Sequence, residues 1–114
     1  MRTDPADATG RSVEIHKVII DGDVTGISEA IKSEMIEPFY VKGFHGYCDE
    51  EGKVSGKPLN IAATSIARQY GFPTDDVLCG DVIFLGEDRE GHEADLPQAI
   101  MTEILKWRDA NQGR

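Results

Sequence analysis

The segment from residue 47 to residue 64 constrains the fold most, because it combines a strand end, a turn, a loop and a helix start. It reads Tyr-Cys-Asp-Glu-Glu-Gly-Lys-Val-Ser-Gly-Lys-Pro-Leu-Asn-Ile-Ala-Ala-Thr. Glu51-Gly52 is typical of a turn, and Gly56 and Pro58 keep the following residues out of a helix. Asn60 can then cap the helix that follows. The segment therefore predicts a strand that leads, through a turn and a loop, into a capped helix.

The N-terminal part predicts a tail and a hairpin. Residues 1–11 show no hydrophobic periodicity, so we expect a disordered tail that precedes a single domain over residues 12–114. Asp21-Gly22 lies between apolar runs and is typical of a tight turn. These features predict a hairpin over residues 13–26.

Apolar residues at helical spacing predict three helices. The first has Ser28 as its N-cap and must end before Pro38. The second is capped by Asn60 and ends at Gly71, and the third is capped by Asp95. Their apolar faces comprise Ile27, Ile31 and Met35; Ala62, Ala63, Ile66, Ala67 and Tyr70; and Leu96, Ile100, Ile104 and Trp107.

The remaining strand signals set the fold class. Gly43 and Gly46 mark a bulge or a tight hairpin, Gly80-Asp81 suggests a bend, and residues 86–95 read as an acidic loop. The strand-like runs lie at residues 39–44, 46–49 and 77–85. The approximate order ββαββαβα predicts a small α+β domain, with a mostly antiparallel sheet and helices packed on one face.

The family resemblance is carried by residues 47–64. The tyrosine, the acidic-Gly-Lys turn, the Gly-x-Pro-x-Asn loop and the Ala-Thr helix start resemble those of the family catalogued as domain of unknown function 3846. Its members are small proteins of phages, plasmids and bacterial genomes, and the family has no established activity. The resemblance covers approximately residues 13–86.

What the resemblance implies is a binding role. Accessory proteins of phages and mobile elements often act on host machinery by binding it, for example in counter-defence. We therefore expect a non-catalytic interaction protein with a host protein as its partner. A homodimer, formed through an exposed edge strand or the helix that carries Trp107, is a further possibility.

A basic island supports an alternative function. Residues 52–74 contain three bases and no acid in a chain with 21 acids, 12 lysines and arginines and a net charge of −9. Lys53, Lys57, Asn60 and Thr64 surround a helix start, where unpaired amides attract anions. This segment predicts a site for a nucleotide-like small molecule. The same residues are also what a plain capped helix requires.

The overall acidity supports a third interpretation. A net negative chain repels phosphate backbones, so direct binding to nucleic acid is not expected. The same charge would suit an acidic mimic of DNA that occupies a DNA-binding protein, or it could serve solubility alone.

Few residues offer catalytic or metal chemistry. His45 and Cys48, with Asp49 and distant Cys79, could hold a metal, but structural zinc sites normally supply ligands in tighter pairs. The common nucleophile, metalloprotease and phosphate-loop motifs are absent from the sequence. We therefore expect no catalytic residue, metal or cofactor, and two reduced, buried thiols. The sequence also contains no apolar run long enough to span a membrane, so a cytoplasmic location is expected.

Overall fold

Two strands precede each helix along the chain in the computed structural model, which describes residues 2–4, 14–16 and 24–111. The described elements are β1 (Arg2–Asp4), β2 (Glu14–His16), α1 (Val24–Ile31), β3 (Ile36–Val41), β4 (Phe44–Asp49), α2 (Ile61–Gln69), β5 (Val82–Glu87), β6 (Glu93–Ala94) and α3 (Gln98–Asn111). This order differs from the predicted one by the added strand β6. None of the described helices is long and apolar enough to cross a membrane.

The described strands form one antiparallel sheet in the order β2-β1-β5-β4-β3, and β6 pairs with the end of β5. β3 and β4 are joined by the two-residue turn Lys42-Gly43, in which Gly43 has a φ of +88°. A left-handed residue suits such a turn, because its twist matches that of the strands. Pro38 is tolerated in β3 because that strand lies at the edge of the sheet. The α+β class is confirmed.

The larger core lies between one face of the sheet and the helices α2 and α3. Phe39, Phe44 and Phe84 meet edge to face, with ring centroids 5.4 to 6.0 Å apart for the pairs that include Phe84. They pack against Ala63, Ile66 and Ala67 of α2 and against Met101 and Ile104 of α3. Leu96, which precedes α3, and Ile104 within it are buried as expected, whereas Ile100 and Trp107 are only partly buried.

The helix α1 covers the opposite face of the sheet. Its residues Ile27, Ala30 and Ile31 pack against Ile83 and Leu85, which alternate along β5 with the residues of the larger core. Successive side chains of a strand point to opposite faces. The expectation that helices pack on one face therefore holds for α2 and α3 but not for α1.

The N-terminal predictions need two corrections. Arg2–Asp4 form a strand, with Thr3 opposite both Ile15 and Val82, whereas we expected a disordered tail over residues 1–11. A strand of three residues is too short for hydrophobic periodicity to reveal it. The hairpin expected over residues 13–26 is wrong in its second half, because α1 begins at Val24. Residues 5–13 and 17–23 lie outside the described residues.

Ser28 does not cap the start of α1 but contributes to its end. Its carbonyl accepts a hydrogen bond from the Ser33 amide (3.1 Å), and the Lys32 amide donates to the Glu29 carbonyl (3.3 Å). With Lys32 at a φ of 59°, this is the Schellman arrangement that ends helices. Met35 therefore lies beyond α1 and is exposed.

Two C-terminal boundaries also differ from the predictions. β5 begins at Val82, because Gly80 has a φ of +77° and interrupts the expected strand over residues 77–85. α3 begins at Gln98, so Asp95 is not its cap; the Pro97 carbonyl accepts the first helical bond, from Met101 (2.9 Å). The expected acidic loop contains the β5–β6 hairpin.

Candidate functional site

Asn60 and Thr64, two members of the predicted anion site, are buried. Asn60 is 0% exposed; its Oδ1 accepts from the Ala63 amide (2.9 Å) and its Nδ2 donates to the Gly80 carbonyl (2.8 Å). The Thr64 hydroxyl accepts from the Leu78 amide (3.0 Å). The prediction of Asn60 as a helix cap is confirmed, and both side chains are directed to the backbone of this chain.

The two lysines of the basic island are paired with carboxylates. Lys53 contacts Asp76, and Lys57 contacts Asp49 at 2.5 Å. Both carboxylates lie outside residues 52–74. The fold therefore neutralises the positive charge that the island carries in the sequence. This geometry favours the interpretation of a plain capped helix. Binding of a nucleotide-like anion stays a prediction.

The Asp49–Lys57 pair should make the stability of the fold depend on pH. Burial alone would raise the pKa of Asp49, but hydrogen bonds from Lys57, the Glu51 amide and Ser33 outweigh it and hold the pKa below 3.8. A depressed folded-state pKa stabilises the fold above the unfolded pKa, and this contribution is lost as the pH falls through the folded value.

We therefore expect Asp49→Asn to lower the melting temperature near neutral pH, and the difference from the parent to shrink below about pH 4. Thermal unfolding of both proteins between about pH 2 and pH 7 measures it. A difference that stays constant across this range would show that the Asp49 charge is not the cause.

A small cleft lies beside this pair, between the end of β4 and the residues that precede β5. Cys48 and Cys79 both line it, together with Lys53 and Asp76, and its volume is about 100 Å³. Pockets for small molecules are typically about 300–1,000 Å³. Burial, followed by the charge of Glu37, raises the pKa of the Cys48 thiol to about 12. Both cysteines are free, but each is only partly buried, whereas we expected buried thiols. The described residues contain no group of His, Cys, Asp and Glu suited to a metal.

A different set of side chains forms a connected polar cluster on the face of the sheet that α1 covers in part. Tyr40 of β3, His45 and Tyr47 of β4 and Glu93 of β6 make up what we term the His45 cluster. His45 Nε2 lies 2.7 Å from Glu93 Oε2, and the Tyr47 hydroxyl donates to Glu93 Oε1 (2.9 Å). The Tyr40 ring stacks on His45 with centroids 5.9 Å apart. Glu93, which follows His45 by 48 residues and Tyr47 by 46, thus connects β6 to the β3–β4 hairpin.

The hydrogen bonds define which atoms of the cluster donate. An ionised carboxylate only accepts, so wherever Glu93 is ionised the proton between it and His45 belongs to Nε2. Burial, followed by the hydrogen bond to Glu93 and its charge, raises the pKa of Tyr47 to about 12, so its hydroxyl remains a donor. Among the described residues, Nδ1 of His45 has no hydrogen-bond partner.

Exposure within the cluster is strongly graded. The side chains of His45 and Glu93 are 8% and 19% exposed, whereas Tyr40 is 73% exposed. The cluster therefore presents the solvent-facing ring of Tyr40, supported from below by the largely buried, hydrogen-bonded pair of His45 and Glu93. Tyr47 also packs against the smaller core with α1, which fixes the cluster to the fold.

Sequence reasoning missed this cluster for a physical reason. The i, i+2 spacing of His45 and Tyr47 is a strand signal that places them on one face, and a turn at residues 42–43 makes Tyr40 the partner of His45. Those three residues could have been grouped. Glu93 could not, because it reaches the cluster through a hairpin in a segment that reads as an acidic loop.

Comparison with known proteins identifies one family. A family model described as "Domain of unknown function (DUF3846)" matches residues 5–109. The match extends the resemblance at residues 13–86 through the β5–β6 hairpin and most of α3, so every member of the His45 cluster lies within it. No curated protein and no solved structure matches the chain.

Proposed function

We propose that this chain, which belongs to the DUF3846 family, is a non-catalytic interaction protein of a phage or mobile element that binds a protein of its bacterial host. Counter-defence is one process in which such binding would act. The proposed contact surface is the His45 cluster, and the observation that carries the proposal is the exposed ring of Tyr40, which stacks on His45.

The geometry of Tyr40 suits an interface. Tyrosine is enriched among the residues that dominate binding energy, because it offers a large amphipathic surface with few rotatable bonds. Here the ring already rests on His45, which Glu93 holds in turn. A side chain ordered before binding loses little conformational entropy when a partner covers it.

The same geometry gives less support to catalysis. A general base must reach the proton that it removes, and the His45 side chain is 8% exposed. Both oxygens of Glu93 already accept hydrogen bonds within the cluster. Neither residue lies beside a serine, threonine or cysteine nucleophile in the hydrogen bonds of the described residues.

Charge indicates what kind of surface the partner offers. With a net charge of −9, the chain is attracted to positively charged surfaces and repelled by phosphate. We therefore propose a host protein with a basic surface around the point where Tyr40 docks.

The test is capture of a host protein by immobilised variants. We expect the parent to retain a host protein from an extract, and Tyr40→Ala to weaken its retention by at least about 2 kcal/mol, or roughly 30-fold. The matched control is Gln69→Ala, which truncates an exposed side chain of α2 on the other side of the sheet. Equal retention by the parent, Tyr40→Ala and Gln69→Ala would contradict the proposal.

A further inference from the structure

We infer that the His45 cluster, together with Glu87, accepts an arginine side chain of the partner protein, with the guanidinium placed over Tyr40 and against the two glutamates. This inference rests on the proposed function, since it specifies the chemistry of the partner at the same surface.

The pairing of β5 and β6 supplies the first argument. Glu87 and Glu93 are directly opposite each other in the antiparallel ladder, so their side chains leave the same face. Like charges in this arrangement repel and destabilise the pairing. Within the described residues, no lysine or arginine forms an ion pair with either glutamate. A cation from outside would relieve this repulsion.

The position of Lys42 shows that the nearest cation along the β3–β4 hairpin is directed elsewhere. Lys42 lies in the turn between the strands, but its side chain extends toward Gly71 at the end of α2; a methyl group on Gly71 would lie 3.9 Å from its Cγ and Cε. α2 packs on the other face of the sheet. Lys42 therefore does not neutralise the two glutamates.

The inventory of donors and acceptors supplies the second argument. The Nε2 proton of His45 and the hydroxyl proton of Tyr47 are both used by Glu93. The lone pairs that stay free can only accept hydrogen bonds: a carboxylate has about four lone-pair sites, of which Glu93 uses two, and the carboxylate of Glu87 adds further acceptors. A guanidinium carries five N–H donors and no acceptor, so it complements such a surface.

The exposed ring of Tyr40 favours arginine over lysine. The ring stacks on His45, and Tyr40 is 73% exposed. A guanidinium is planar and weakly hydrated, and it stacks on aromatic faces while its edge binds carboxylates. An ammonium group is more strongly hydrated and has no plane to stack.

The test uses the full-length protein and three short peptides that differ at one side chain: acetyl-Gly-Arg-Gly-amide, its lysine analogue and its uncharged citrulline analogue. Binding is followed by NMR through the ring signals of Tyr40, His45 and Tyr47. We expect saturable shifts of these signals with the arginine peptide, weaker binding of the lysine peptide, and at least about tenfold weaker binding of the citrulline peptide.

Matched variants locate the site. Glu87→Gln should weaken binding of the arginine peptide about fivefold or more while raising the melting temperature, because the same change removes the repulsion from Glu93. Glu103→Gln, an exposed glutamate of α3 that pairs with Lys106, should leave binding unchanged. Tyr40→Ala should abolish the shifts of His45.

Several results would overturn the inference. The first two are the absence of saturable shifts with the arginine peptide and equal binding of the arginine and citrulline peptides. The third is an equal effect of Glu87→Gln and Glu103→Gln on binding. The fourth is ring shifts that depend on protein concentration alone, which would indicate a second copy of the chain as the occupant. If a host protein is captured through Tyr40 but the arginine peptide fails, only the inference falls. If the peptide binds but no host protein is captured, the proposed function falls instead.

Discussion

Substitution of Gly46 by alanine is expected to lower the free energy of unfolding by about 3 kcal/mol, toward the upper end of the effects of overpacking. A Cβ atom at this position would lie 2.3 Å from Cζ of Phe39 and 2.5 Å from the carbonyl oxygen of Ile83. The phenyl ring is held by Phe72 and Phe84, and the carbonyl belongs to the backbone of β5. Neither neighbour can withdraw without disturbing the sheet.

Chemical denaturation of the parent and Gly46→Ala measures the loss. The double variant Gly46→Ala with Phe39→Leu is the control, because the smaller side chain removes one of the two close contacts. We expect the double variant to lose less stability than the sum of the two single changes. Additive effects would show that the collision with Phe39 is not the source of the loss.

Asn60→Ala is expected to lower the free energy of unfolding by about 2–4 kcal/mol. Loss of a helix cap removes about 1 kcal/mol, and a buried group left without its partner adds about 1–3 kcal/mol. Asn60 is fully buried, and its removal affects the Ala63 amide and the Gly80 carbonyl together.

Asn60→Ser separates these two effects, because a serine hydroxyl can cap the helix but is too short to replace the amide bond to Gly80. Thermal or urea unfolding should rank the proteins as parent, then Asn60→Ser, then Asn60→Ala. If Asn60→Ala were as stable as the parent, the hydrogen bonds of Asn60 between α2 and the residues before β5 would not stabilise the fold. A role of Asn60 in ligand binding would then regain support.

Local rules of sequence predicted part of this fold well. Asn60 caps α2, and Gly71 ends it with a φ of +99°, because caps and left-handed ends depend on a few adjacent residues. Gly43 forms the tight hairpin for the same reason. Ser28 shows the limit of such rules: a residue suited to capping lies at the other end of the helix, which Lys32 ends in a conformation unusual for lysine.

Long-range pairing accounts for what the sequence could not reveal. Lys57 belongs to an acid-free segment, yet Asp49 from the end of β4 neutralises it. Glu93 belongs to an acidic stretch, yet it binds His45 and Tyr47 across the sheet. Charge counted along the chain therefore indicated an anion site at the basic island, whereas the three-dimensional arrangement directs attention to the His45 cluster.

Crosslinking inside host cells tests the proposal that Tyr40 lies at an interface with a host protein. A photoreactive phenylalanine analogue replaces Tyr40 in one protein and Gln69 in another, so that each exposed position carries the same reactive group. We expect one discrete crosslinked host protein from position 40 and none from position 69. The same crosslinked products from both positions, or none from position 40, would contradict it.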